Sequence, residues 1–364
     1  MNAFIIRLLS ILFIASFSSF LIWHCFIHRH SARKHPHNIS QTPAKSRDEA
    51  ATEIHNVDEN PTKSKANSFI DKLLARYSTN WEKQEQNFKT YRSLLGSSCK
   101  AISNAVLTQS NSPLGSNITY DAFRKKIIQV KEDLFSVIPK ENPFQTAPWD
   151  SCAVVGNGGI LANSSCGKQI DSASYVIRCN LPPLNNEYER DTGSKTNLVT
   201  ANPSILFQKY HALNARRRPF VDDVQLYGDA LIMLPAYSYP QNTAVSFRAL
   251  YSLEDHGSSG PRAVFSNPDY LTSLAKFWRS QGLRSARLST GIMMASMALE
   301  LCNNVYLYGF WPFETHPYTY QHLSNHYYDN RLANKVHAMP AEFESLLNLH
   351  NKGVINLHLG KCTN

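Results

Sequence analysis

Cys152-Ala153-Val154-Val155-Gly156-Asn157-Gly158-Gly159-Ile160-Leu161, running on to Ile177-Arg178-Cys179-Asn180, is the stretch that decides the fold. An apolar run ends in a glycine turn, an amphipathic segment follows, and a second apolar run ends at Asn180. This is the pattern of a strand, a turn, a helix and a second strand. Such a unit turns backbone N–H groups and a helix N-terminus toward one spot, which suits a phosphate or a carboxylate. A glycine-rich turn alone is weak evidence, and the blocks downstream carry more.

The same alternation continues along the chain. Apolar runs at Cys152–Val155, Tyr175–Cys179, Leu198–Thr200, Ala230–Leu234, Ala263–Phe265, Val305–Tyr308 and Val354–Leu359 read as strands. Ile160–Ile170, Tyr270–Gln281, Thr290–Cys302 and Pro340–Lys352 read as helices between them. Strands alternating with helices predict an α/β domain with a mainly parallel sheet flanked by helices. Ligands sit at the carboxyl ends of such strands, so Gly156 and Asn180, each just past a strand, could meet over one ligand.

With 364 residues the chain fits one large domain plus extra segments, or two small domains. The net charge of +9 favours acidic partners. Zinc-finger spacing and long Lys/Arg runs are absent from the sequence, so nucleic acid is not an expected partner. Leu8 to Ile27 is a 20-residue apolar stretch with His24 as its only basic group. A bilayer core needs about 20 apolar residues, and the stretch exceeds the usual apolar region of a cleaved signal peptide, so a transmembrane signal anchor is expected.

Arg29, Arg33 and Lys34 follow the anchor and would favour a cytosolic C-terminal side. The cysteines beyond the anchor and the sequons at Asn38, Asn117 and Asn163 point instead to the lumen, which is the reading taken. The expected organisation is a cytoplasmic tail at 1–7, the anchor at 8–27, a stem at 28–95 and a catalytic domain at 96–364.

Ser289-Thr290-Gly291 starts an apolar helix. The pair of hydroxyls reads first as a helix cap, and a capped N-terminus can still serve as a second anion cradle. Val305–Tyr308 followed by Gly309-Phe310-Trp311-Pro312-Phe313 is a strand and an aromatic turn, which is either core or a platform for a base or sugar. His326-Tyr327-Tyr328-Asp329 lies in a polar loop. His337 precedes a helix start at Pro340 and Glu342. A lone histidine is more often structural, but two histidines bracketing a loop after the aromatic turn favour general base catalysis over a zinc site. The sequence holds no Asp-x-Asp, the pair that often carries a divalent metal for a leaving diphosphate.

Taken together, these blocks resemble the animal sialyltransferases, and within them the α2,8 group. The likeness covers residues 96–364. The large sialylmotif resembles Cys152 to Thr200, with Arg178-Cys179-Asn180-Leu181-Pro182-Pro183 and Asp191-Thr192-Gly193-Ser194-Lys195. The small motif resembles Leu288 to Phe313, the third His326 to Asp329, and the very small one His337 with Glu342. Asn111-Ser112-Pro113-Leu114-Gly115 is similar to the branch that adds one or a few sialic acids. Arg216-Arg217-Arg218 is too short for the basic segments of the polysialylating branch.

The resemblance implies a type II Golgi enzyme with a Rossmann-like, GT-A-type catalytic domain. Its donor would be CMP-sialic acid, without a metal, and its acceptor a sialylated glycan on glycolipid or glycoprotein. It implies inverting transfer, with His337 as general base, His326 assisting phosphate departure, and Glu342 orienting the last helix or His337. Asn157, Gly158 and Asn180 would hold phosphate, ribose or cytidine groups. Ser289, Thr290 and Gly291 would bind the sialyl carboxylate and nearby donor groups, and Trp311 would flank the nucleotide. It also implies Cys152–Cys302 and Cys166–Cys362 disulfides and allows a homodimer. The alternatives are an inactive glycan-binding protein and an α2,3 or α2,6 sialyltransferase.

Overall fold

The computed structural model describes residues 61–257, 259–329 and 339–362. A small antiparallel hairpin, β1 (Asn117–Thr119) and β2 (Ile127–Gln129), lies apart from the main sheet. The main sheet comprises β3 (Trp149–Val155), β4 (Tyr175–Arg178), β5 (Leu198–Thr200), β6 (Leu231–Leu234), β7 (Arg262–Phe265), β8 (Cys302–Tyr308) and β9 (Asn356–His358). Its order is β7-β6-β5-β4-β3-β8-β9, and each pairing is parallel.

The longer helices are α1 (Pro61–Leu74), α2 (Glu85–Ser98), α3 (Pro240–Glu254), α4 (Pro268–Ser280), α5 (Thr290–Leu301) and α6 (Met339–Asn351). Parallel strands covered on both faces must be apolar on both, which is why β4, β5 and β6 are buried throughout. Alternate residues go to different layers. Cys152, Val154, Ile177, Met233, Val305 and Leu307 join α4, α5 and α6 in one core. Val199, Ile232, Leu234 and Phe265 pack with α3 on the other face. Ala153, Val155 and Val176 form a smaller cluster with Cys166 and Cys362.

Ile70, Leu73, Phe88 and Leu95 are buried in the first of these cores. The compact unit therefore runs from Glu59 to Asn364, and the domain start expected at Gly96 lies inside it. Apolar faces on α1 and α2 that would be stranded in a solvated stem are covered here by the core. The helix expected over Ile160–Ile170 is two short turns, Gly159–Leu161 and Gly167–Asp171. Between them Asn163 and Ser165 take positive φ of 62° and 57°, and their N–H groups donate to the Asp191 carboxylate instead of to a helix.

Both expected disulfides are present. Cys152–Cys302 ties β3 to the start of β8, and Cys166–Cys362 ties the C-terminal segment to the turn region after β3. Cys99 and Cys179 are buried free thiols. Among the described residues no helix is long and apolar enough to cross a membrane, and the anchor expected at 8–27 lies outside them.

Candidate active site

The chain runs outward from β3 through β4, β5, β6 and β7, then returns to the other side of β3 as β8 and β9. The order reverses between β3 and β8, and an open parallel sheet offers its ligand crevice at that reversal. A cavity of about 240 Å³ opens there. It is lined by residues that follow four strands: Gly156, Asn157 and Gly158 after β3, Cys179 and Asn180 after β4, Asn202 after β5, and Gly309, Phe310 and Trp311 after β8. The N-terminus of α5 adds Ser289, Thr290 and Gly291, the polar loop adds Asn325 and His326, and α6 adds Glu342 and Phe343. The site residues expected from the sequence thus share one cavity, apart from His337, which lies outside the described residues.

The glycine turn is built differently from a simple phosphate cradle. The N–H groups of Gly156 and Gly158 donate to Tyr308 O at 2.8 Å and Gly309 O at 3.1 Å. A Cβ on Gly158 would stand 2.5 Å from Gly309 O, and one on Gly309 would stand 2.5 Å from Gly156 O. The glycines let the turns after β3 and β8 interlock, and the side chain of Asn157 is left to face the cavity. Its Nδ2 donates to Cys179 O at 2.8 Å, while its buried Oδ1 has no hydrogen-bond partner among the described residues.

The His326–Asp329 loop closes over this turn. Tyr327 N donates to Asn157 O at 2.9 Å, and Asn157 Nδ2 reaches the Tyr328 hydroxyl at 3.3 Å. His326 pairs through Nδ1 with Asp329 at 2.9 Å and stacks on Tyr328. That pairing fixes the ring and leaves Nε2 within 3.2 Å of Asn325 Nδ2.

Asn180 sits at φ 62°, a conformation asparagine tolerates better than most residues. Its Oδ1 accepts from Asn202 N at 3.0 Å, so one end of its side chain links the ends of β4 and β5. Arg178, next to it in the motif, is wholly buried. It donates to Thr192 O, Lys195 O and Thr196 Oγ1, and so braces the Asp191–Lys195 loop rather than the ligand. Burial also pushes the Cys179 thiol up to about 12, which makes it a poor nucleophile.

Glu342 is 3% exposed and holds Ser289. Ser289 N donates to Glu342 Oε1 at 2.8 Å and Ser289 Oγ donates to Glu342 Oε2. The same hydroxyl caps α5 by accepting from Ile292 N at 3.3 Å. The next two N–H groups, of Thr290 and Gly291, have no partner among the described residues and stand at the positive end of a twelve-residue helix. A Cβ on Gly291 would lie 2.9 Å from Phe310, so glycine admits that ring beside the helix start. Trp311 lines the cavity but is 4% exposed, packed on Phe313 and Phe343, with Nε1 donating to Thr315 O at 2.8 Å. Asn202 and Asn325 belong to none of the blocks read from the sequence as site residues, while Phe310 lies in the aromatic turn. Asn202 was legible in principle, since it follows a strand just as Gly156 and Asn180 do.

Asparagines, a capped helix N-terminus and a paired histidine surround one crevice at the carboxyl edge of a parallel sheet in an α/β domain, an arrangement suited to an anionic ligand. The residues 106–354 match the model of glycosyltransferase family 29 (sialyltransferase), and the chain belongs to that family. It is similar to human Alpha-2,8-sialyltransferase 8F, with 44% identity over 81% of this chain and 74% of that one. Identity to human Alpha-2,8-sialyltransferase 8E is 39%, over 82% and 79% of the two chains. The Alpha-N-acetylneuraminide alpha-2,8-sialyltransferase of Xenopus tropicalis is 42% identical over 79% and 83%. A mammalian sialyltransferase crystallised with Gal-beta-1-3GalNAc-ortho-nitrophenol aligns with a TM-score of 0.42 and 19% identity, over 84% of this chain and 88% of that one.

Proposed function

We propose that this glycosyltransferase moves sialic acid from CMP-sialic acid to the O8 hydroxyl of a terminal sialic acid on a glycolipid or glycoprotein glycan. The observation that carries the reading is the meeting of distant motif blocks in one cavity, in a chain 44% identical to an α2,8-sialyltransferase. His337 takes the O8 proton as O8 bonds to the anomeric carbon from the face opposite the phosphate. The carbon–oxygen bond to phosphate breaks, and its electron pair leaves with CMP. His326, held by Asp329, stands where it can offset charge on that phosphate. The N–H groups of Thr290 and Gly291 suit the sialyl carboxylate. The leaving group is a monophosphate and the sequence lacks Asp-x-Asp, which favours transfer without a metal. The disulfides and the apolar segment at 8–27 support a lumenal catalytic domain on a type II anchor in the Golgi membrane.

The test is CMP release by the full chain in detergent with sialylated acceptors, followed by linkage analysis and repeated with EDTA. Acceptor-dependent CMP release, an α2,8 product and indifference to EDTA are expected. An α2,3 or α2,6 product would overturn the linkage, and loss of activity on chelation with rescue by manganese would overturn the metal-free reading. His337→Ala should lower kcat by about 10²–10⁴ and leave CMP affinity within about tenfold, because a general base acts on the transition state. Turnover like wild type would remove His337 from the mechanism.

A further inference from the structure

A second cavity, of about 250 Å³, opens on the same edge of the sheet. It shares Asn202 and Thr290 with the first, and the 3.2 Å hydrogen bond from Thr290 Oγ1 to Asn202 Oδ1 forms part of the wall between them. Among the described residues that line it, Arg287 is the one charged side chain. Its guanidinium lies 5.1 Å from the ring centre of Tyr239, and it is coupled electrostatically to the Asp121 carboxylate. Ser266 also lines this cavity. It is 4% exposed, and its hydroxyl has no hydrogen-bond partner among the described residues. Met233 and Met293 supply apolar wall. One cation and an apolar wall beside the donor cleft fit a sugar that carries a carboxylate. A planar guanidinium can bind that group through two parallel hydrogen bonds, which a lysine cannot do.

We propose that this second cavity is the acceptor subsite and that Arg287 binds the carboxylate of the acceptor's terminal sialic acid. The inference rests on the α2,8 reading, since that linkage requires the acceptor to end in a carboxylated sugar. The exocyclic chain that bears O8 lies several bonds from the carboxylate. With the carboxylate held at Arg287, that chain crosses the Asn202–Thr290 wall toward the donor. Arg287 is then a determinant of acceptor choice, not of donor binding.

The test compares sialyllactose with the same sugar whose carboxylate is converted to a primary amide, using the full chain in detergent. Wild type should prefer the acid by about 10- to 100-fold in kcat/KM, the range expected for one charge-assisted contact. In Arg287→Gln the two acceptors should become nearly equal through loss on the acid. The donor KM and the acceptor-independent hydrolysis of CMP-sialic acid should stay unchanged. Arg287→Lys keeps the charge and guards against misfolding of the Gln variant. It should weaken the acid acceptor several-fold and leave the amide alone. An undiminished preference for the acid in Arg287→Gln, an equal rise in donor KM, or equal losses on both acceptors in Arg287→Lys would overturn the assignment. A wild type that uses asialo-lactose as well as sialyllactose would instead overturn the α2,8 reading itself.

Discussion

Two buried glutamates hold the two ends of α5, and they do so differently. At the N-terminal end Glu342 of α6 is fully engaged, with each oxygen accepting from Ser289. At the C-terminal end Glu300 accepts from Ala101 N at 2.7 Å through Oε2, and its buried Oε1 has no partner among the described residues. The first end opens into the cleft, where a satisfied carboxylate fixes the cap and so the aim of the Thr290 and Gly291 N–H groups. The second end lies against the helical segment at Ala101–Asn104, where the polar contact joins two layers of the core. One helix therefore carries function at one end and assembly at the other, and substitutions at the two ends should separate these properties.

The largest effect is expected at Glu342. Glu342→Ala strips two buried donors of their acceptor, at about 1–3 kcal/mol for each group left unsatisfied. It also frees the cap to shift, and a displacement of about 1 Å at a reacting site can cost about 10²-fold in rate. We expect kcat/KM to fall by about that factor, with the donor KM raised. Glu342→Gln keeps one carbonyl oxygen for Ser289 and should recover part of the loss. If the Ala variant melts earlier yet keeps its donor KM and kcat, Glu342 is a packing residue and the contrast between the ends fails.

Much of this was legible before the fold was known, and the exceptions share a cause. Buried parallel strands are apolar on both faces, so β3 to β9 stand out as runs. Helix α3 was not anticipated, because Asn242, Ser246 and Ser252 occupy buried positions on it and blur the apolar period. The β1–β2 hairpin has three-residue strands, too short to show alternation. In the site, the motif blocks were visible as strand ends and a helix cap. What Gly156 and Gly158 do was not visible, since a glycine turn reads the same whether its N–H groups face a ligand or a neighbouring turn. Arg287 and Asn202 likewise take their meaning from which strands are neighbours, and topology is what a single sequence states least directly.

The second effect sharpens the assembly side. Cys302 closes α5 and bonds Cys152 at the heart of the sheet, with both sulfurs fully buried. Cys302→Ser should cost about 2–5 kcal/mol, the usual toll for a lost native bridge. The protein should melt earlier and yield less folded material, and whatever folds should bind CMP normally. Peptide mapping without reductant checks the bond directly. Free thiols at both positions in active enzyme would remove the bridge and also the case for an oxidising compartment.

The smallest effect is the most selective. Burial pushes the Glu300 carboxyl from 4.5 up to about 7, outweighing the Ala101 N–H and Arg92, which pull it down. The folded state then holds a proton that the unfolded state has lost between those two values. Stability from this group is complete below about pH 4.5 and is lost as pH rises through about 7. Glu300→Gln is neutral throughout, so it should match wild type near pH 4, below both values, and melt a few degrees higher at pH 8. Turnover should be unchanged at both, because this end of α5 does not line the cleft. A melting gap that does not vary with pH would show that Glu300 stays ionised in the fold. A loss of turnover at constant stability would show that the two ends of the helix are not separable.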